Sequence, residues 1–137
     1  MPKLPTLPPR LTGADPEAMA RQFSAGRTLI AASMLAAPVP AARLLGLDSA
    51  TAKRVGWLTR MMAVRDGALG VGGLDALRRD GDARPWLLGG AVSDAVDAAV
   101  IAGALSSGRL KGVLPTAIAV GAAGLAALGV VNAARLR

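Results

Sequence analysis

The sequence predicts an all-α fold, a four-transmembrane-helix antiparallel bundle. Three observations carry that expectation. The chain of 137 residues is 53% hydrophobic and 18% charged, against about 25% charged in an average soluble domain. Its apolar residues come in long runs, with no stretch of the strict alternation that marks a half-buried strand. Alanine and glycine, at 30 and 17 residues, supply much of that apolar content. Alanine favours helix, and small side chains let helices approach closely where lipid replaces water.

The expected order begins with an arm over residues 1–14, disordered or surface-lying. Pro2, Pro5, Pro8 and Pro9 fix φ and remove backbone donors there, which excludes a regular helix. No secretory apolar core follows Lys3, so a cleaved signal peptide is not expected. A single membrane domain then fills residues 15–137. Its first helix runs from about Pro16 to Ala37, with Asp15 as N-cap, Pro16 in the first turn and Glu17 complementing the dipole. Thr28 to Ala42 carries no charge, and Pro38 and Pro40 end or kink the segment. A short amphipathic connection, Ala41 to Leu47, leads to a second helix from about Ser49 to Leu77, capped by Asp48. Arg78, Arg79 and Asp80-Gly81-Asp82 mark its end. The third helix starts near Pro85 and stops at Ser106-Ser107-Gly108, with glycine as the C-terminal breaker. The fourth covers about Val113 to Ala134. Gly112 to Ala134 is 23 residues without a charge, enough to cross a hydrocarbon layer of about 30 Å.

Composition excludes several function classes. There is no cysteine and no histidine, so disulfides, thiol chemistry, Cys- or His-ligated metals and histidine-based catalysis are out. The net charge of +7 is compatible with nucleic acid, but for base stacking the chain offers only one Phe, no Tyr and two Trp. No nucleic-acid partner is expected. No cofactor or metal is expected either, and the five candidate serines Ser24, Ser33, Ser93, Ser106 and Ser107 lack a basic partner. The chain is read as a non-enzyme.

Ionisable groups inside otherwise apolar helices are the candidate site, because such groups are costly in lipid and face the bundle and pair. They are Arg27, Arg60, Arg65, Asp66, Asp94 and Asp97. With the second and third helices antiparallel, residues at one depth have numbers summing to about 163, a level argument from the helical rise. Arg65 then lies beside Asp97, within a turn of Asp94. Arg60 is expected to reach down or snorkel, and Arg27 to find Asp94 or Asp75. Three positive and three negative groups allow complete pairing. A structural network is favoured over an ion path. Trp57 and Trp86, each near a helix start, are expected as anchors at opposite membrane faces. Small residues recur at Ala91, Ala95, Ala99, Gly103 and Ser107, and at Ala119, Ala123 and Ala127. Such spacing suits packing within the bundle or a dimer face.

Four spans place the arm, the second loop and the C-terminus on one side. That side holds Lys3, Arg10, Arg21, Arg78, Arg79, Arg84, Arg135 and Arg137, against Arg43, Lys53, Arg54, Arg109 and Lys111 opposite. Eight cations against five puts both termini in the cytoplasm, in the inner (plasma) membrane.

The segment Arg60-Met-Met-Ala-Val-Arg65-Asp66-Gly-Ala-Leu69-Gly70, followed by a helix with Asp94 and Asp97, resembles small bacterial four-helix membrane proteins, of actinobacterial type and broadly DoxX-like. Gly26-Arg27 and Pro38 add to the likeness, which covers about Gln22 to Ser107. The resemblance implies the four-span architecture and no particular activity. The function expected is a non-enzymatic accessory or structural subunit of a membrane complex, with the lipid bilayer, other membrane subunits or further copies of itself as partners. The alternative is a small homo-oligomeric transporter or channel using the midplane aspartates. Small multidrug transporters share length and helix number only, since Thr28 to Ala42 has no acid.

Overall fold

The computed structural model describes residues 15–136, so the proline-rich arm, Lys3, Arg10 and Arg137 lie outside the described residues. Among the described residues there are five helices and no strand: α1 (Pro16–Ala36), α2 (Pro38–Arg43), α3 (Ser49–Arg78), α4 (Arg84–Ser106) and α5 (Val113–Arg135).

Each boundary has a local cause. The Asp15 carboxylate accepts from the Glu17 amide at 3.1 Å, and Pro16 opens α1, where a missing N–H costs nothing. Ala37 leaves helical geometry, at φ −132° and ψ 64°. Here the structure departs from the expected short connection. Pro38 and Pro40 do not merely stop α1; they start α2, because both fall in the first turn of the next helix. Asp48 caps α3 through Oδ1, which accepts from the Ala50 and Thr51 amides at 2.9 and 3.0 Å. Oδ2 accepts from the Thr51 hydroxyl at 2.6 Å. After α3, Asp80 takes φ +52°, a left-handed geometry that Asp tolerates, and the Gly81 amide closes onto the Ala76 carbonyl at 2.8 Å. Gly108, at φ +71°, turns the chain out of α4.

The four long helices run up, down, up and down. Gly70 of α3 lies against Ser24 and Thr28 of α1, Gly67 against Ala31, and Gly56 against Pro38 and Val39. Numbers rise on one helix as they fall on the other, so the pair is antiparallel. Gly72 and Gly73 meet Trp86, and Gly89 meets Leu69, which sets α4 antiparallel to α3. Gly129 of α5 packs on Ala91 and Leu87 of α4. The α1–α3 and α4–α5 pairs hold most of the packing, whereas α1 and α5 touch lightly. Of the recurring small residues, Ala91, Ala63 and Ala119 are buried, whereas Ala95, Ala99, Gly103, Ala123 and Ala127 are exposed.

The interior is small. Buried hydrophobics are nearly all alanine, with Leu77 and Leu87 at the end where α1 begins and α5 finishes. The large apolar side chains face outward instead: Leu29 is 69% exposed and Val120 68%, with Ile30, Val64, Val92, Val96 and Val100 similarly placed. Two helices, α4 and α5, are long and apolar enough to cross a membrane.

Candidate functional site

The buried stripe of α1 reads Ala20, Ser24, Ala31. Arg27 falls within it, a turn after Ser24 and a turn before Ala31 (spacings i+3 and i+4), so its side chain enters the bundle. On α3 the buried positions Thr59, Ala63, Gly70 and Gly73 bracket Asp66 in the same way. On α4 they are Leu87, Gly90, Ala91, Ser93 and Asp94. Charged residues therefore stand where the helical period would place core side chains.

The five groups form one alternating chain: Asp94, Arg27, Asp66, Arg65, Asp97. Arg27 donates through Nη1 to Asp66 Oδ1 at 3.2 Å, and through Nη2 to Asp94 Oδ2 and, at 3.4 Å, to the Gly90 carbonyl. Gly90 makes room for this, since a Cβ there would lie 3.1 Å from Arg27 Nη2. Arg65 donates through Nε to Asp66 Oδ1 at 3.2 Å and grips Asp97 with a fork, at 2.6 and 3.3 Å. The Ser93 hydroxyl donates to Asp66 Oδ1 at 3.5 Å. The side chains of Arg27 and Asp94 are each 10% exposed and that of Asp66 14%; the Arg65–Asp97 end is more open, at 37% and 22%.

Two expected features change. Arg60 is exposed and belongs to no ion pair among the described residues. It lies nearer the end of α3 and on another side: five residues from Arg65 is about 7.5 Å along the axis and a rotation of about 140° at 3.6 residues per turn. Asp75, offered as an alternative partner of Arg27, pairs with Arg79 on the surface at 2.9 Å. The three-against-three balance is thus replaced by two arginines against three aspartates, a formal charge of −1. Among the described residues no set of acidic groups converges as a metal site requires.

Trp86 lies over Gly72 and Gly73 at the start of α4, and Trp57 is exposed near the start of α3. Fifteen residues of α3 separate Trp57 from Gly72, about 22 Å along the axis, so the indoles sit toward opposite ends.

A cavity of 310 Å³ opens on the Arg27 side of the cluster, lined by Gln22, Phe23, Gly26, Arg27, Ile30, Asp66, Asp94 and Leu125. It occupies the light α1–α5 seam. A second cavity of 270 Å³ shares Gln22 and Phe23 with it and ends at Asn132, beside Met19 and Leu128. Asn132 is 2% exposed, and its Oδ1 has no hydrogen-bond partner among the described residues. Sequence reasoning passed over this residue. Its signal was present: it is the sole amide in the charge-free run of the last helix. Arg27 also stacks over the Phe23 ring, 5.9 Å from its centroid.

The chain matches no protein-family model, and no curated protein or solved structure is significantly similar to it.

Proposed function

We propose that this chain is a four-span integral membrane protein that performs no chemistry of its own. It serves as an accessory or structural subunit of a membrane complex, and the Asp94–Arg27–Asp66–Arg65–Asp97 chain clasps its helices together. The observation that supports this is the inverted distribution of side chains. Alanine, glycine and ion pairs fill the interior, while Leu, Ile and Val face out on α1, α3, α4 and α5 alike. In water that arrangement leaves the hydrophobic driving force unused; in lipid it is the expected one. The most apolar stretches of α4 and α5 are only 28% and 17% buried, unlike the core helix of a soluble protein. α1 and α3 complete the bundle as spans, their charges turned inward or, as with Arg60, snorkelling from about one turn below Trp57. Trp57 and Trp86 act as interfacial anchors, and the excess of cations puts both termini in the cytoplasm. The likeness to DoxX-like proteins belongs to the same reading and adds no activity. Purification in mild detergent tests the subunit role. Co-purification of a larger complex supports it, and a clean monomer without partners contradicts it.

A second reading, a small transporter or channel working through the aspartates, draws on the unbalanced carboxylate and the seam beside it. Substrate-driven proton flux in liposomes that disappears in Asp94→Asn supports it; flux unchanged in that variant contradicts it.

A further inference from the structure

The groove between α1 and α5 holds three features that the clasp does not use. The cluster has one carboxylate more than it has guanidinium groups. Every hydrogen bond to Asp66 falls on Oδ1 and that to Asp94 on Oδ2, so Asp66 Oδ2 and Asp94 Oδ1 are unbonded among the described residues. Both aspartates line the first cavity. The groove continues past Gln22 and Phe23 to Asn132, a buried amide whose Oδ1 has no donor among the described residues. A buried amide left unpaired costs free energy, so its retention points to a polar partner that is supplied from elsewhere.

We propose that this groove binds a single-chain aliphatic amine that enters from the lipid phase. Its ammonium occupies the aspartate end, and a neutral hydroxyl meets the Asn132 amide. The inference rests on the membrane reading above. The charges match: one ammonium neutralises the excess carboxylate, and an uncharged amide asks for an uncharged polar group. Asn132 is seven residues beyond Leu125, about 10 Å along α5, which sets the spacing of the two polar groups. Phe23, Leu125, Leu128 and Met19 give the middle an apolar lining. The two cavities that such a ligand spans, 310 and 270 Å³, together fall within the range of about 300–1,000 Å³ for ligand sites. A phospholipid ammonium is tied to a phosphate at the interface, whereas Asp66 lies six residues, about 9 Å, deeper than the level of Trp86. Gly26, at the mouth, has nothing within 4 Å of a Cβ position among the described residues.

The test is calorimetric titration of the full chain in nanodiscs, with empty nanodiscs subtracted, using 8-amino-1-octanol, octylamine and 1-octanol. The expected order of affinity is the amino alcohol, then octylamine, then octanol, each step about fivefold to tenfold. Asn132→Leu should bring the amino alcohol to the level of octylamine, and Asp94→Asn should remove the preference for amines. Leu125→Trp fills the groove without touching the ion pairs and should abolish binding, while Val120→Trp on the outer face should not. The other three variants keep the test decisive if Asp94→Asn fails to fold. Octanol binding as well as octylamine overturns the proposal, as does equal binding in the two tryptophan variants. A change of oligomeric state in Leu125→Trp overturns it too, by making the groove an interface between copies. Failure of the ligand order in a protein whose loops lie on alternate membrane sides removes the ligand and leaves the membrane reading standing; failure of that sidedness removes both.

Discussion

Replacing Arg27 with leucine deletes the link that joins α1 to both α3 and α4. The guanidinium makes contacts with Asp66, Asp94 and the Gly90 carbonyl. Without it Asp94, 10% exposed, has no ion-pair partner, and the formal charge at the cluster goes from −1 to −2. Orphaning a buried charge costs about 3–5 kcal/mol, roughly a two hundred- to five thousand-fold loss in the folding equilibrium. Adding Asp94→Leu restores the charge to −1 and leaves Asp66–Arg65–Asp97 intact. The double variant should recover most of the loss, with a coupling energy of about 2–3 kcal/mol. Arg65→Leu should cost less than Arg27→Leu, because that end is 37% exposed. Arg60→Leu should stay within about 0.5 kcal/mol of the parent. Reversible unfolding in mixed micelles, followed by Trp fluorescence, reads all of these. If Arg27→Leu loses no more than Arg60→Leu, or the coupling falls below about 0.5 kcal/mol, the clasp is refuted.

Other expectations follow from the glycines and the caps. A Cβ at Gly70 would lie 2.8 Å from the Ser24 carbonyl oxygen, a backbone atom that cannot swing away; Gly70→Ala should cost about 1–3 kcal/mol in the same unfolding assay. Gly103→Ala, with nothing within 4 Å, should be neutral or stabilise by up to about 1 kcal/mol through helix propensity; a loss there would contradict the packing described. The Thr51 hydroxyl and amide hold the Asp48 carboxyl below its ordinary value of 3.8. A depressed folded value means that the cap contributes stability above pH 3.8 and loses it as pH falls through the lower folded value. Amide exchange at Ala50 and Thr51 should therefore stay protected near pH 3.8 and rise only below it, and Asp48→Asn should flatten that dependence.

The sequence was legible where one dimension suffices. Runs of apolar residues between Asp15, Asp48, Gly81 and Gly108 located the four long helices to within two residues, because caps and breakers act locally. Depth along antiparallel helices put Arg65 beside Asp97, 32 residues away. Azimuth was harder. Arg60 stands about 7.5 Å from Arg65 along α3 and does not share its facing, and the small residues Ala95, Ala99 and Gly103 are spaced for contact yet turn outward. Rotation about each axis is set by which stripe packs on which neighbour, and Gly70, Gly73 and Gly90 reveal that only once their partners are known. Pro38 marks the end of α1 in sequence but not the start of α2, since a proline that ends one helix and a proline that opens the next look alike there. Asn132 escaped because a lone amide carries no charge to flag it.

The central proposal is that α1 and α3 cross the membrane together with α4 and α5, the two helices long and apolar enough to do so by composition alone. The chain has no cysteine, so single cysteines at Ala50, Gly81 and Arg109 can be labelled with an impermeant maleimide in sealed vesicles without background. Four spans require Ala50→Cys and Arg109→Cys to label from one side and Gly81→Cys from the other. Labelling of Ala50→Cys and Gly81→Cys from the same side, with Arg109→Cys opposite, would leave two spans and contradict the account.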